Sequence, residues 1–82
     1  LETRIKDAIF AESSFIGAEF SKVVFENVRF HDVNMRHCQI RDSVFRSCEF
    51  SDVDFWESQF AGNVFEACRF EECKKSALAK AG

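Results

Sequence analysis

The side chains of this chain best suited to chemistry are four cysteines and two histidines: Cys38, Cys48, Cys68, Cys73, His31 and His37. Thiolates and imidazoles together ligate zinc, and a thiol or hydroxyl beside an imidazole makes a nucleophile. Their spacing argues against both. The cysteines stand ten, twenty and five residues apart, without the paired C-x-x-C of a zinc site. Neither histidine has a Ser, Asp or Cys placed to complete a triad. The sequence also lacks a glycine-rich phosphate loop and a buried carboxylate pair. It therefore reads as non-enzymatic, with no catalytic residue, metal site or cofactor.

The elements that must position these residues are set by another pattern. All eleven phenylalanines fall on residue numbers divisible by five, and Ile5, Met35 and Ile40 fill the remaining beats through 70. Two residues before each beat stands a small or modest side chain, from Thr3 through Val33 and Cys38 to Cys68. On an α-helix a step of five would turn each Phe by about 140° from the last. In a straight strand it would send every second Phe to the wrong face. A chain that turns one corner per repeat avoids both: the beat and the residue two before it face inward, and the other three face solvent. So regular a short period predicts a β-solenoid, each coil burying its inner face on the next.

Units such as Ala18-Glu19-Phe20-Ser21-Lys22, Val33-Asn34-Met35-Arg36-His37 and Val53-Asp54-Phe55-Trp56-Glu57 resemble those of the pentapeptide repeat proteins. The resemblance covers residues 3 to 72. It departs from the family in its beat, nearly always Phe rather than Leu, and in having Asp or Asn before the beat only at Asn34 and Asp54. The resemblance implies an all-β, right-handed quadrilateral β-helix with four repeats per coil, about 3.5 coils here. Its core stack would be Phe10, Phe15, Phe20, Phe25, Phe30, Met35, Ile40, Phe45, Phe50, Phe55, Phe60, Phe65 and Phe70.

On that frame the cysteines become core residues, because all four fall two residues before a beat, where a thiol packs as a small hydrophobe. Cys48 and Cys68 would stack at about 4.8 Å. Their parallel Cβ vectors would then lie wider apart than the roughly 3.5–4.5 Å a disulfide prefers, so four reduced thiols are expected. His31 and His37 take outward positions, where a solvated role is ordinary.

Columns twenty residues apart sort the surface. Glu12, Asp32, Asp52 and Glu72 make an acidic stripe, and like charges at that spacing repel. Arg29, Glu49 and Arg69 alternate in sign, as ordinary surface pairing does. Arg36, Arg41 and Arg46 encircle one coil as a belt rather than a phosphate-binding patch. Val24, Val44 and Val64 form an outward stripe, and Trp56 lies above Arg36 and Ile16. Trp and Arg are typical of interface hot spots, although a Trp on an Arg is also a common surface filler. These six residues are the candidate partner contacts.

Eighty-two residues make one domain near the lower limit for a self-sufficient core. A net charge of −3 and 30% charged residues suit a soluble, cytoplasmic module and give no case for nucleic acid or membrane as ligands. After Phe70 the beat stops. Residues 1–72 are read as the solenoid and 73–82 as a short helical cap, acids first and lysines later. Without a cap, homodimerisation through a solenoid end or face is expected. Two function classes follow. One is a non-catalytic structural or protein-interaction module, standing alone or as a segment of a larger protein. The other, implied by the resemblance, is a DNA-mimicking dimer that binds DNA gyrase or topoisomerase and protects it from quinolones or inhibits it. The acidic stripe favours mimicry. The length opposes it: a rise of roughly 17 Å matches only about five base pairs.

Overall fold

The computed structural model describes residues 3–74. Among them eleven short strands follow in chain order: β1 (Thr3–Lys6), β2 (Ile9–Ser14), β3 (Glu19–Ser21), β4 (Val23–Glu26), β5 (Arg29–Asn34), β6 (Gln39–Arg41), β7 (Val44–Arg46), β8 (Glu49–Asp54), β9 (Gln59–Ala61), β10 (Val64–Glu66) and β11 (Arg69–Glu71). They form three parallel sheets, ordered β1-β4-β7-β10, β2-β5-β8-β11 and β3-β6-β9. Every pairing joins residues twenty apart, for example Phe25 with Phe45 and Phe30 with Phe50. The molecule is a parallel β-solenoid of about three turns.

The backbone shows how a five-residue period closes. The residue two after every beat has positive φ, from Glu12 at 50° to Gly17 at 75°. This left-handed conformation costs an L-residue about 1–2 kcal/mol, yet only Gly17 and Gly62 of these corner residues are glycine. Five others are Asp or Asn (Asp7, Asn27, Asp32, Asp42 and Asp52), the side chains that tolerate it best. With a corner every five residues and a register of twenty, each coil turns four times. Glu12, Asp32 and Asp52 turn within strands β2, β5 and β8, so those long strands cover two sides of the coil.

The second of those sides passes into a turn, where Ala18 N–H donates to the Phe15 carbonyl at 3.0 Å and Ser58 N–H to Phe55 at 3.1 Å. Coil-to-coil bonds continue there, from Phe15 N–H to the Asn34 carbonyl and from Met35 N–H to Asp54. All four sides are thus tied upward, which leaves little backbone unpaired.

Inside, the coil translation stacks the beats. Phe25, Phe45 and Phe65 lie nearly parallel, 4.6 and 4.8 Å apart, and Phe30, Phe50 and Phe70 repeat this at 4.8 and 4.6 Å. Isolated aromatic pairs prefer offset or edge-on contacts. Here the β-ladder imposes the face-to-face spacing, and the edge-on contacts appear between successive beats, as in Phe10–Phe15. Burial follows position along the axis. Phe25, Phe30, Phe45, Phe50 and Phe55 are fully buried, whereas Phe10, Phe15 and Phe20 in the first coil and Phe60, Phe65 and Phe70 in the last are half-buried.

The helical cap expected over 73–82 is not supported where the structure describes it. Lys74 pairs with Asp54 as a parallel bridge, its N–H donating to the Val53 carbonyl. The ladder thus continues past Phe70 although the Phe beat has stopped, because these bonds need only backbone. Residues 75–82 lie outside the described part. Among the described residues no helix is long and apolar enough to cross a membrane.

Candidate functional site

The four cysteines are free thiols in the inward column, Cys38, Cys48 and Cys68 two before a beat and Cys73 one repeat beyond the last such position. Each thiol donates to the carbonyl of the residue twenty-three earlier, one coil below: Cys38 to Phe15 at 3.0 Å, Cys48 to Phe25 at 3.5 Å, Cys68 to Phe45 at 3.2 Å and Cys73 to Phe50 at 3.4 Å. Ser58 and Asn63 make the equivalent bonds to Met35 and Ile40. The cysteines are therefore packing residues that also bond the coil beneath them. Burial holds their protons: loss of solvent raises the pKa of Cys38, Cys48 and Cys68, with Cys48 pushed up to about 11. A thiol so placed is a poor nucleophile at neutral pH.

His31 and His37 are exposed. The ladder does place Ser51 directly beside His31, a neighbour the twenty-residue spacing already contains, with Glu71 paired to Ser51 one coil on. The order is wrong for a triad, because the carboxylate adjoins the serine rather than the imidazole it would have to orient. These residues line a shallow, open depression with Ile9, Arg29 and Glu49. Among the described residues no group of three or more His, Cys, Asp or Glu side chains could hold a metal ion.

The surface columns are more telling. Glu12, Asp32, Asp52 and Glu72 are all exposed, and all four occupy left-handed corners, with φ between 50° and 55°. For Asp32 and Asp52 the backbone alone gives a reason for the residue type. Glu12 and Glu72 have no such excuse, because glutamate is not favoured there.

The next corner carries the apolar residues. Ile16 and Trp56 are 57% and 46% exposed, on the turn that follows the long strands. The strand end fixes this ridge. Asn34 Oδ1 accepts the Arg36 N–H at 3.1 Å, and Asp54 Oδ1 accepts the Trp56 N–H at 3.0 Å. The Arg36 guanidinium pairs with Asp54 at 3.5 Å. Trp56 stays nearly half-exposed on a corner tied by its hydrogen bond to Asp54.

The structure therefore brings two predicted columns to the two edges of one side of the solenoid. Among the described residues, six carboxylates (Glu12, Asp32, Asp52, Asp54, Glu57 and Glu72) stand between and along those edges against two cations, Arg36 and Lys74. The valines are elsewhere, on the sheet of β1, β4, β7 and β10. They do not make an even stripe: Val24 is only 6% exposed, Val44 is half-buried and Val64 is 47% exposed. Val24 is paired between Arg4 and Val44 of its own column, and ion pairs run along the sheet, Arg4 with Glu26 at 3.1 Å and Arg46 with Glu66 at 2.8 Å. The expected Arg29–Glu49 pair is looser, at 3.9 Å.

A family model described as a pentapeptide repeat region matches residues 3–78. No curated protein matches the chain. Among solved structures, the trypsin-treated R167E form of QnrB1, a plasmid-mediated fluoroquinolone resistance protein, is similar at 16% identity with a TM-score of 0.43. The similarity covers 85% of this chain and 49% of that one, so the chain spans about half the length of that structure.

Proposed function

The chain belongs to the pentapeptide repeat family, and from that premise we propose that it is a non-catalytic protein-interaction module whose contact side is the one bounded by the acidic corner and the Trp56 ridge. One observation carries this reading: Trp56 and Ile16 are exposed on a corner that backbone and side-chain hydrogen bonds hold rigid. Exposed indole on a preorganised support binds at low entropic cost. The neighbouring carboxylates would steer a basic partner surface and set its register. A single sheet such as the valine side is a weaker candidate. Val24 is only 6% exposed there, and the ion pairs Arg4–Glu26 and Arg46–Glu66 stand along the same sheet.

The test is a paired substitution. Trp56→Ala should weaken association with a protein partner, or self-association in sedimentation velocity, at least tenfold without lowering the melting temperature. Val44→Ala, on the far side, should leave association unchanged. Equal effects from both would retire the assignment of this side.

The acidic column favours a second reading, mimicry of duplex DNA toward gyrase. Four carboxylates at sheet spacing resemble a short run of phosphates. The column they follow spans roughly 15 Å, about four base pairs, so a single chain covers little of a duplex track. A gyrase supercoiling assay with and without fluoroquinolone separates the readings; no effect at micromolar protein ends this one.

A further inference from the structure

The thiols of Cys48 and Cys68 have a relationship that their packing role does not require. Residue 68 lies one coil above residue 48, in the register that pairs Glu49 with Arg69. Both sulfurs take the same position in their coils, since each donates to the carbonyl twenty-three residues earlier. They are therefore related by the local coil translation. Two ring pairs bracket that translation on either side: Phe45–Phe65 at 4.8 Å and Phe50–Phe70 at 4.6 Å, both nearly parallel. The sulfurs thus stand about 4.7 Å apart. A disulfide cannot span this without moving the backbone, because it needs an S–S distance of about 2.05 Å and converging Cβ atoms.

The same separation suits a different bridge. Two metal–thiolate bonds of about 2.3 Å laid end to end span about 4.6 Å. We propose that Cys48 and Cys68 form a linear two-thiolate site for a soft divalent cation of the mercuric type. Binding replaces two S–H bonds with two S–metal bonds and releases two protons to solvent. The product, a dication with two thiolates, carries no net charge, which is what a water-poor core accepts. A monovalent soft ion would leave a buried negative charge. Zinc would lack two of its four ligands. Soft thiolate ligands favour soft cations over the hard ions that bind carboxylate.

The other cysteines do not repeat the arrangement. Ala18 lies below Cys38 and Ser58 above it, and Val53 lies below Cys73. The pair also has a way in. Cys48 is 0% exposed, but Cys68 is partly open in the last coil.

The test is titration of the intact chain with mercuric ion, read by native mass spectrometry, thiol counting and X-ray absorption. The expected result is one ion per monomer at one equivalent, two of four thiols lost, and two sulfur neighbours at about 2.3 Å. Cys48→Ser and Cys68→Ser should each lower affinity more than about 100-fold, beyond the loss of an outer-sphere partner. Cys38→Ser and Cys73→Ser should not. Serine already fills this inward position at Ser43 and Ser58, and circular dichroism checks that each variant folds. Capture by Cys73 alone, a bridge between two chains in sedimentation, or three sulfur neighbours would overturn the proposal.

Discussion

The Ser43 N–H donates to Asn63 Oδ1 at 2.9 Å, and the same amide of Asn63 donates in turn to the Ile40 carbonyl at 2.9 Å. One side chain thus closes two backbone groups of the coil below. Ser43 repeats part of this pattern one coil down, its Oγ accepting from Val23 N–H at 3.2 Å. The polar residues of the inward column hold the coils together through bonds that an apolar residue cannot make.

Replacing Asn63 with Val should therefore destabilise the fold although it adds apolar bulk. The Ser43 N–H loses its acceptor, at a cost of about 1–3 kcal/mol. Asn63→Asp keeps the acceptor but turns a carboxylate oxygen toward the Ile40 carbonyl, so it should also destabilise at neutral pH and recover part of the loss in acid, where the protonated carboxyl can donate. Urea unfolding monitored by circular dichroism measures both, and equal stability of Val and Asn at this position would contradict the account.

At the corners the sign reverses. Ala67 has φ of 54°, and Ala67→Gly should raise stability by about 0.5–1 kcal/mol, the strain relieved less the entropy added to the unfolded chain. Gly62→Ala should do the opposite by a similar amount: a Cβ there would come within 2.6 Å of Asp42 Oδ1, but that exposed carboxylate can turn aside. Adding Asp42→Gly, which removes that contact without straining a second left-handed corner, separates the contact from the strain at residue 62. Thermal unfolding of the four proteins checks the order.

Alkaline pH should lower the stability of the protein as its buried thiols titrate. The folded chain holds the Cys48 proton up to about 11, against an ordinary value of 9.0. Cys38 and Cys68 shift in the same direction. The folded state thus binds more protons than the unfolded state in this window. The contribution is complete below about pH 9 and is lost as pH rises toward 11. Stability measured from pH 7 to 11 should be flat and then fall, and Cys48→Ser should reduce the fall.

Hydrogen exchange should follow the burial gradient. Amides around Phe25 to Phe55 sit in fully buried coils, whereas both end coils are half-buried. Coils bond only to their neighbours, so the ends should exchange at least tenfold faster than the centre. Uniform protection along residues 3–74 would mean that the ends are covered.

Much of this was legible in the sequence. The phenylalanine beat carried the solenoid, the inward cysteines and the outward histidines, because burial depends on which way a side chain points and the period states that directly. The left-handed corners were only half visible. Asp7, Asn27, Asp32, Asp42 and Asp52 mark five of them, but Glu12, Lys22 and Ala67 adopt the same φ without any residue preference to announce it. The thiol-to-carbonyl bonds were not visible, since a small hydrophobe and a weak donor are the same letter. The covering of Val24 was visible only in part: Arg4 and Val44 pair with it in its own column, and a stripe read from the valines alone leaves Arg4 out. The helical tail was read from composition, which speaks to propensity and not to whether a ladder above Asp54 captures the backbone first.

The twenty-residue register also sets a grammar for insertions and deletions. Removing five residues keeps every later beat in phase with the core, so the stack survives. It also moves everything above the cut back by one side, and the acidic column would break and resume on the neighbouring corner. Removing twenty restores the pattern with one coil fewer. Lengths that are not multiples of five would turn Phe outward. Relatives of this chain should therefore differ in length by fives where only folding is under selection, and by twenties where the surface is.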